Sequence, residues 1–130
     1  MSEKKKILIV DDDKDIRNFF SQALISENYE IFTAENGDRA IEIMRGQKSP
    51  FSLAVIDFMM PHRTGWDLIE HIRTKSGHRK VPIIVFTGLL VSQEMIDKIQ
   101  KECFVILQKG DFDLESFKKI AKEAIESGEK

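Results

Sequence analysis

Aspartates gather at one point near the start of the chain. Residues 11 to 15 read DDDKD and directly follow the apolar run Ile7–Val10. Two like unit charges 4 Å apart repel each other by about 4 kcal/mol at an effective dielectric constant of 20. This repulsion at the end of a buried segment indicates that a cation offsets it. We interpret the later aspartates, Asp13 and Asp15, as helix-start acids that the helix dipole favours.

Three more reactive side chains each end a short apolar run. Asp57 ends LAVID, Thr87 ends the apolar part of PIIVFTG, and Lys109 follows FVILQ. These carboxylates cluster with neither a cysteine nor histidines at metal-ligand spacing. Such a set suits a hard cation that prefers oxygen ligands, and Mg²⁺ is the first choice. A carboxylate beside a metal ion and a lysine stays ionised and can act as a nucleophile. The pattern therefore indicates attack on a phosphoryl group, which needs positioning and charge neutralisation.

Five short apolar runs alternate with stretches of helical periodicity. The runs predict strands at 7–10, 30–34, 53–56, 83–86 and 104–107. Continuous apolar runs, rather than alternating ones, are typical of parallel strands buried on both faces. Five successive strand–helix units predict an α/β fold with a doubly wound, five-stranded parallel sheet. Ligands of such sheets bind at the carboxyl ends of the strands, where the reactive groups listed above converge.

Composition limits the classes of function. The 130 residues fit a single domain, residues 1–130, with its core over about 5–126. The net charge of −2 and the lack of a dense basic stretch argue against nucleic-acid binding. No apolar run is long enough to span a bilayer, so we expect no membrane partner. Cys103 is the single cysteine, which excludes a disulfide within the chain, and we expect a cytoplasmic protein.

Four segments carry a resemblance to a known family. They are ILIVDDDKDIR, LAVIDFMMP followed by a glycine, PIIVFTG and ILQKG. In this order and spacing they resemble the receiver domain of two-component response regulators, over essentially the whole chain. The resemblance implies a (βα)5 flavodoxin-like fold with strand order 2-1-3-4-5.

The resemblance also assigns site roles. Asp57 would be the phosphoacceptor. Asp11 and Asp12 match the acidic pair that binds Mg²⁺, with Asp12 as a direct ligand, and the backbone carbonyl of Met59 would supply another protein ligand beside Asp57. Thr87 and Lys109, which both match groups that engage the phosphoryl oxygens, complete the set.

The resemblance further implies a switch rather than an enzyme that turns over a substrate. The phosphoryl donor would be a sensor histidine kinase or a phosphotransfer protein. Phosphorylation would alter the face made by the fourth helix, fifth strand and fifth helix, where an unknown downstream protein would bind. A homodimer through this region is also compatible with the family.

Two departures from the family pattern affect the switch. Gly110 follows Lys109 where the family usually has a proline in a cis peptide, so we expect a trans peptide and an altered loop. Ile106 stands at the register of the family's switch aromatic, which weakens or replaces the usual coupling. In addition, Met59 and Leu89 are apolar at positions where polar groups could hold the hydrolytic water. This predicts a long-lived phosphoryl-aspartate.

Three alternatives deserve comparison with this interpretation. A calcium-binding loop beginning at DDDKDI is excluded. Ile16 occupies the position where such a loop requires glycine, and Gln22 occupies the position of its closing glutamate. A phosphohydrolase resembling the haloacid dehalogenase group would use Asp11 and Asp13, but it would leave Asp57 without a role. A receiver-like module that binds partners without phosphorylation stays open, with the apolar loop 89–91 as its contact or as a segment buried under the next helix.

Overall fold

The computed structural model describes residues 4–25, 28–58, 65–75, 79–88, 91–108, 110 and 113–129. Five strands and five helices alternate along the chain. The strands are β1 (Lys5–Val10), β2 (Tyr29–Ala34), β3 (Leu53–Asp57), β4 (Ile83–Thr87) and β5 (Val105–Gln108). The helices are α1 (Lys14–Ile25), α2 (Gly37–Arg45), α3 (Gly65–Lys75), α4 (Gln93–Gln100) and α5 (Leu114–Gly128).

The strands form one parallel sheet in the order β2-β1-β3-β4-β5. This confirms the predicted fold class and strand order. The central strands β3 and β4 are buried along their whole length, whereas the edge strand β5 is only partly buried. This difference explains why the central strands read as unbroken apolar runs.

Alternate residues of the buried strands point to opposite sides of the sheet, as β1 shows, and each side carries its own hydrophobic layer. Leu8 and Val10 pack with the buried faces of α2 and α3 and with Ile99 of α4. Ile7 and Ile9 pack with the buried faces of α1 and α5. The sheet is therefore covered on both sides, as a doubly wound fold requires.

Polar side chains define where several helices begin. The side chain of Asn36 accepts a hydrogen bond from a backbone N–H in the first turn of α2, at 2.8 Å. Ser92 and Asp113 do the same for α4 and α5, at 3.2 and 2.8 Å. Such caps satisfy backbone donors that have no partner within the helix. Ser92 and Asp113 thereby mark where α4 and α5 begin.

Arg73 of α3 forms hydrogen bonds at the end of the sheet where β4 and β5 begin. Its guanidinium donates hydrogen bonds to the backbone carbonyls of Glu102 at 3.1 Å, Arg79 at 2.9 Å and Val81 at 2.7 Å. Burial lowers the pKa of Arg73, which the negative charge of Glu102 partly opposes. These bonds hold the segments that precede β4 and β5 in place.

Candidate functional site

The chemically reactive side chains lie where β1, β3 and β4 end. Asp11 directly follows β1, Asp57 is the last residue of β3, and Thr87 is the last residue of β4. These three strands are neighbours in the sheet, with β3 in the middle. The successive strands β2 and β3 lie on opposite sides of β1, so the site lies at the topological switch point of the sheet, which is the usual ligand position in this architecture.

Three carboxylates form a compact cluster at this point. Asp11, Asp12 and Asp57 each offer an oxygen atom, and these atoms lie within 4.8 Å of one another. Asp11 and Asp57 are 0% and 1% exposed, whereas Asp12 is exposed to solvent. Two buried carboxylates that are both charged and 4.8 Å apart repel each other by roughly 3.5 kcal/mol at an effective dielectric constant of 20, and solvent weakens the repulsion that involves the exposed Asp12. A set of carboxylate oxygens with one open side fits Mg²⁺, which binds few protein ligands and retains water.

The loop between β1 and α1 fixes the position of Asp11. The backbone N–H of Asp11 donates to Ala34 O at 3.1 Å and so continues the ladder between β1 and β2. One carboxylate oxygen of Asp11 accepts from Asp13 N at 2.8 Å, and a carboxylate oxygen of Asp13 accepts from Asp15 N at 2.9 Å. Asp13 thus precedes α1 and Asp15 lies in its first turn, as predicted. The loop is ordered by its own aspartates.

Arg17 contributes to this loop, although sequence analysis gave it no role. Its guanidinium donates a hydrogen bond to the backbone carbonyl of Asp11 at 2.7 Å. Arg17 lies one turn into α1, so its side chain can reach back toward the helix start. The sequence signal for this contact is the position of Arg17, which places its side chain within reach of the loop that carries Asp11 and Asp12.

The start of α3 lies against the backbone of Asp57. The N–H of Phe58 donates to Phe86 O at 2.9 Å, and the N–H of Gly65 donates to Phe58 O at 2.7 Å. A Cβ atom on Gly65 would lie 2.6 Å from Phe58 Cα and 2.8 Å from Asp57 O. Only a glycine permits this approach, so Gly65 does more than begin a helix.

Of the remaining predicted site residues, the structure describes Thr87 but not Lys109 or Met59. Thr87 is 6% exposed at the end of β4, next to the strand that carries Asp57. Lys109 and Met59 lie outside the described residues, as does Leu89. The roles assigned to all the site residues remain predictions.

The departures from the family pattern are visible in part. Gly110 has a φ of 92°, the left-handed region that favours glycine, and none of the described residues has a cis peptide bond. Ile106 is partly buried and packs against the hydrophobic layer on the α2–α3–α4 side, as does Val91. Of the two possibilities considered for the loop 89–91, contact surface or buried segment, the partial burial of Val91 agrees with the second.

The sheet topology and the acidic cluster define a (βα)5 protein of the flavodoxin-like class with a carboxylate cluster at its switch point. The family described as "Response regulator receiver domain" matches residues 7–122, and the chain belongs to this family. The predicted resemblance is confirmed. Members of the family are signalling proteins of two-component systems, and receiver domains bind Mg²⁺ at an acidic pocket.

Individual relatives support this assignment. The chain is 40% identical over 98 residues to a probable transcriptional regulator, ycf27, of Porphyra purpurea, covering 75% of this chain and 37% of that protein. It therefore spans little more than a third of that relative's length. The response regulator TrrA of Thermotoga maritima, solved in complex with Mg²⁺-BeF, has 30% identity and a TM-score of 0.75, covering 92% of this chain and 98% of that one.

A second solved structure agrees in fold. A CheY-like response regulator receiver domain protein of Methanospirillum hungatei JF-1 has a TM-score of 0.85 at 24% identity, with 98% of both chains covered. At this identity the likeness concerns the fold alone. Among the described residues, no helix has the length and apolar character needed to cross a membrane.

Proposed function

We propose that this chain is a phosphorelay signalling switch that accepts a phosphoryl group on Asp57. The observation that carries the proposal is the carboxylate cluster of Asp11, Asp12 and Asp57 at the switch point of the sheet. Asp57 is the member of this cluster that ends the central strand β3. Its carboxylate stands at the end of a buried strand and is adjacent to the other two acids, which supports its role as a positioned nucleophile beside a bound cation.

The transfer itself is a displacement at phosphorus. A carboxylate oxygen of Asp57 forms the new P–O bond while the bond from phosphorus to the donor's leaving atom breaks, and the leaving atom keeps that electron pair. Asp11 and Asp12, with Asp57 and the carbonyl of Met59, would hold Mg²⁺, which neutralises charge on the phosphoryl oxygens when bound. The Thr87 hydroxyl and the Lys109 ammonium would engage the other phosphoryl oxygens.

The donor would be a sensor histidine kinase or a phosphotransfer protein. The signal would leave the domain through the face formed by α4, β5 and α5, where a downstream protein would bind. We propose that residues 1–130 act as one receiver domain whose chemistry is limited to gaining and losing this phosphoryl group. The ycf27 and ResD relatives are described as transcriptional regulators, so regulation of transcription is one output compatible with this family.

Intact mass after incubation with acetyl phosphate tests the proposal. Wild type and Asp57→Asn are compared with and without Mg²⁺. One Mg²⁺-dependent phosphoryl addition to wild type, absent from Asp57→Asn, is the expected result. Addition of equal size to both proteins would move the acceptor away from Asp57.

A receiver-like module that works without phosphorylation is the second candidate. Two positions favour it, because Ile106 replaces the usual aromatic residue and Gly110 replaces the usual proline. Wild type that binds Mg²⁺ but gains no phosphoryl group would support this second candidate and reject the first.

We also propose that the phosphoryl-aspartate is long-lived, because Met59 and Leu89 offer no polar group to the hydrolytic water. Met59→Asn should shorten the half-life of the phosphorylated protein, measured by intact mass after removal of acetyl phosphate. An unchanged half-life would count against this explanation.

A further inference from the structure

The single tryptophan of the chain joins two helices next to the site. Trp66 is the second residue of α3, and the Nζ atom of Lys98 in α4 lies over its ring, 5.1 Å from the centroid. This distance lies within the range of a cation–π attraction. Trp66 is partly buried and packs against the hydrophobic layer on that side of the sheet. The pair therefore connects α4 to the first turn of α3.

The Trp66–Lys98 pair has a short covalent and hydrogen-bonded connection to Asp57. Trp66 directly follows Gly65, whose N–H donates to Phe58 O at 2.7 Å. The missing Cβ of Gly65 would approach Asp57 O to 2.8 Å, so the two backbones are in direct contact. Because this contact has no free space, a shift of the backbone at Asp57 displaces Gly65 and, with it, Trp66.

Helix α4 has few other attachments to the fold. Among its eight residues, all of which the structure describes, Ile99 is the one that is buried, while Met95 and Ile96 are partly buried. A helix of this length is not stable by its own propensity, so its contacts with neighbours determine its position. The loss or gain of one contact of moderate strength is therefore significant for α4.

Strand β5 offers no ring that could perform the coupling. Ile106 stands at the register of the family's switch aromatic and is a partly buried aliphatic side chain. The aromatic ring that contacts α4 instead comes from α3. A coupling between the site and α4 that uses this ring would therefore run along the α3 side of α4 and not along its β5 side.

We propose that the Trp66–Lys98 pair couples the state of Asp57 to the position of α4, by stabilising the arrangement of the unmodified protein. The inference rests on the proposed function, since it requires that a phosphoryl group or its analogue binds at Asp57. Occupation of the site shifts Gly65 and Trp66, weakens the contact with Lys98 and releases α4. By linkage, removal of the pair must favour occupation of the site by the same factor.

Beryllofluoride with Mg²⁺ is the probe, and Lys98→Met is the variant. Methionine keeps an unbranched side chain but removes the charge over the ring. The expected result is a two- to fivefold tighter apparent affinity for beryllofluoride by calorimetry. A cation–π contact worth about 0.5–1 kcal/mol at an exposed site corresponds to this factor. Trp66 emission should change on binding in wild type and should change less in Lys98→Met.

Two controls separate the pair from other effects. Lys98→Arg keeps a cation over the ring and should bind the probe like wild type. Lys101→Met removes the same charge from an exposed residue at the end of α4. Loss of a positive charge alone weakens the attraction of the protein for an anion such as beryllofluoride. For Lys98→Met, electrostatics therefore predicts a lower affinity for the probe, whereas the proposed coupling predicts a higher one. Urea unfolding followed by circular dichroism verifies that each variant is folded.

The outcomes distinguish the inference from the proposed function. An affinity of Lys98→Met equal to that of Lys101→Met, or Trp66 emission unaffected by the probe in wild type, would overturn the coupling while Asp57 phosphorylation stands. Wild type that neither binds beryllofluoride nor gains a phosphoryl group from acetyl phosphate would overturn the proposed function and the coupling together.

Discussion

Replacement of Gly65 by alanine tests the close approach between α3 and β3. The added Cβ would lie 2.6 Å from Phe58 Cα, 2.8 Å from Asp57 O and 3.0 Å from Phe58 O. All three neighbours are backbone atoms at the end of a buried strand, so none can move as a flexible side chain would. The substitution therefore forces α3 away from β3 or distorts the end of the strand.

The expected loss of stability follows from two contributions. Overpacking in a well-packed interior costs about 1–3 kcal/mol. Loss of the hydrogen bond from Gly65 N to Phe58 O, now 2.7 Å long, costs about 0.5–1.5 kcal/mol more. The gain in helix propensity, at most about 1 kcal/mol, does not offset the sum. With a gain of about 0.5–1 kcal/mol in helix propensity subtracted, we expect the free energy of unfolding to fall by about 0.5–4 kcal/mol.

Urea denaturation followed by circular dichroism measures this change. With a slope of about 2 kcal/mol per molar urea, the midpoint should fall by about 0.3–2 M. Gly46→Ala is the matched control, because Gly46 has a φ of −80° and its added Cβ would make ordinary contacts of 3.6 and 3.8 Å. This control should be neutral or slightly stabilising. Equal midpoints for the two variants would refute the reasoning.

Three further predictions concern residues outside the site. Burial raises the pKa of the Cys103 thiol to about 11, so at pH 8 an aromatic disulfide reagent should label it about tenfold more slowly in native than in unfolded protein. The lower thiolate fraction outweighs the greater nucleophilicity of the thiolate. Arg73→Lys should lower the urea midpoint, because an ammonium cannot replace the guanidinium bonds to three carbonyls, including that of Glu102; the expected cost is about 1–3 kcal/mol. Hydrogen bonds from Ser116 hold the pKa of Asp113 below its ordinary value, so its stabilising contribution is present at neutral pH and is lost as the pH falls through the lowered pKa. Asp113→Asn, an uncharged cap, should flatten the acid side of the plot of urea midpoint against pH.

The sequence predicted the strands well where burial is complete and less well at their exposed ends. Strand β3 lies where the apolar run indicated, since both of its faces are covered. Strand β1 begins at Lys5, two residues before the predicted Ile7, because its first residues pair with Tyr29 and Glu30 of the edge strand β2. Backbone pairing at a solvent-exposed edge requires no apolar side chain, so hydrophobic patterning cannot detect it.

The same distinction applies to the site. Reasoning from strand ends placed Asp11, Asp57 and Thr87 at one edge of the sheet, and the structure has them there. The bond from Arg17 to the carbonyl of Asp11 and the contact of Gly65 with Asp57 were not predicted. Both depend on how a helix start is oriented relative to a strand, which periodicity and residue type do not specify.

The hydrogen bonds around the carboxylate cluster determine how its repulsion can be relieved. Asp11 N is bonded to Ala34 O, and the residue after Asp57 is bonded to Phe86 O. The carboxylates cannot separate by backbone movement without breaking these bonds, each worth about 0.5–1.5 kcal/mol, together with the packing of the central strands. For the buried pair Asp11 and Asp57, a repulsion of roughly 3.5 kcal/mol between charged carboxylates is large beside a total stability of about 5–15 kcal/mol for a typical domain. Because the sheet holds Asp11 and Asp57 close together, a bound cation would offset their repulsion, and the repulsion that it relieves would add to its affinity.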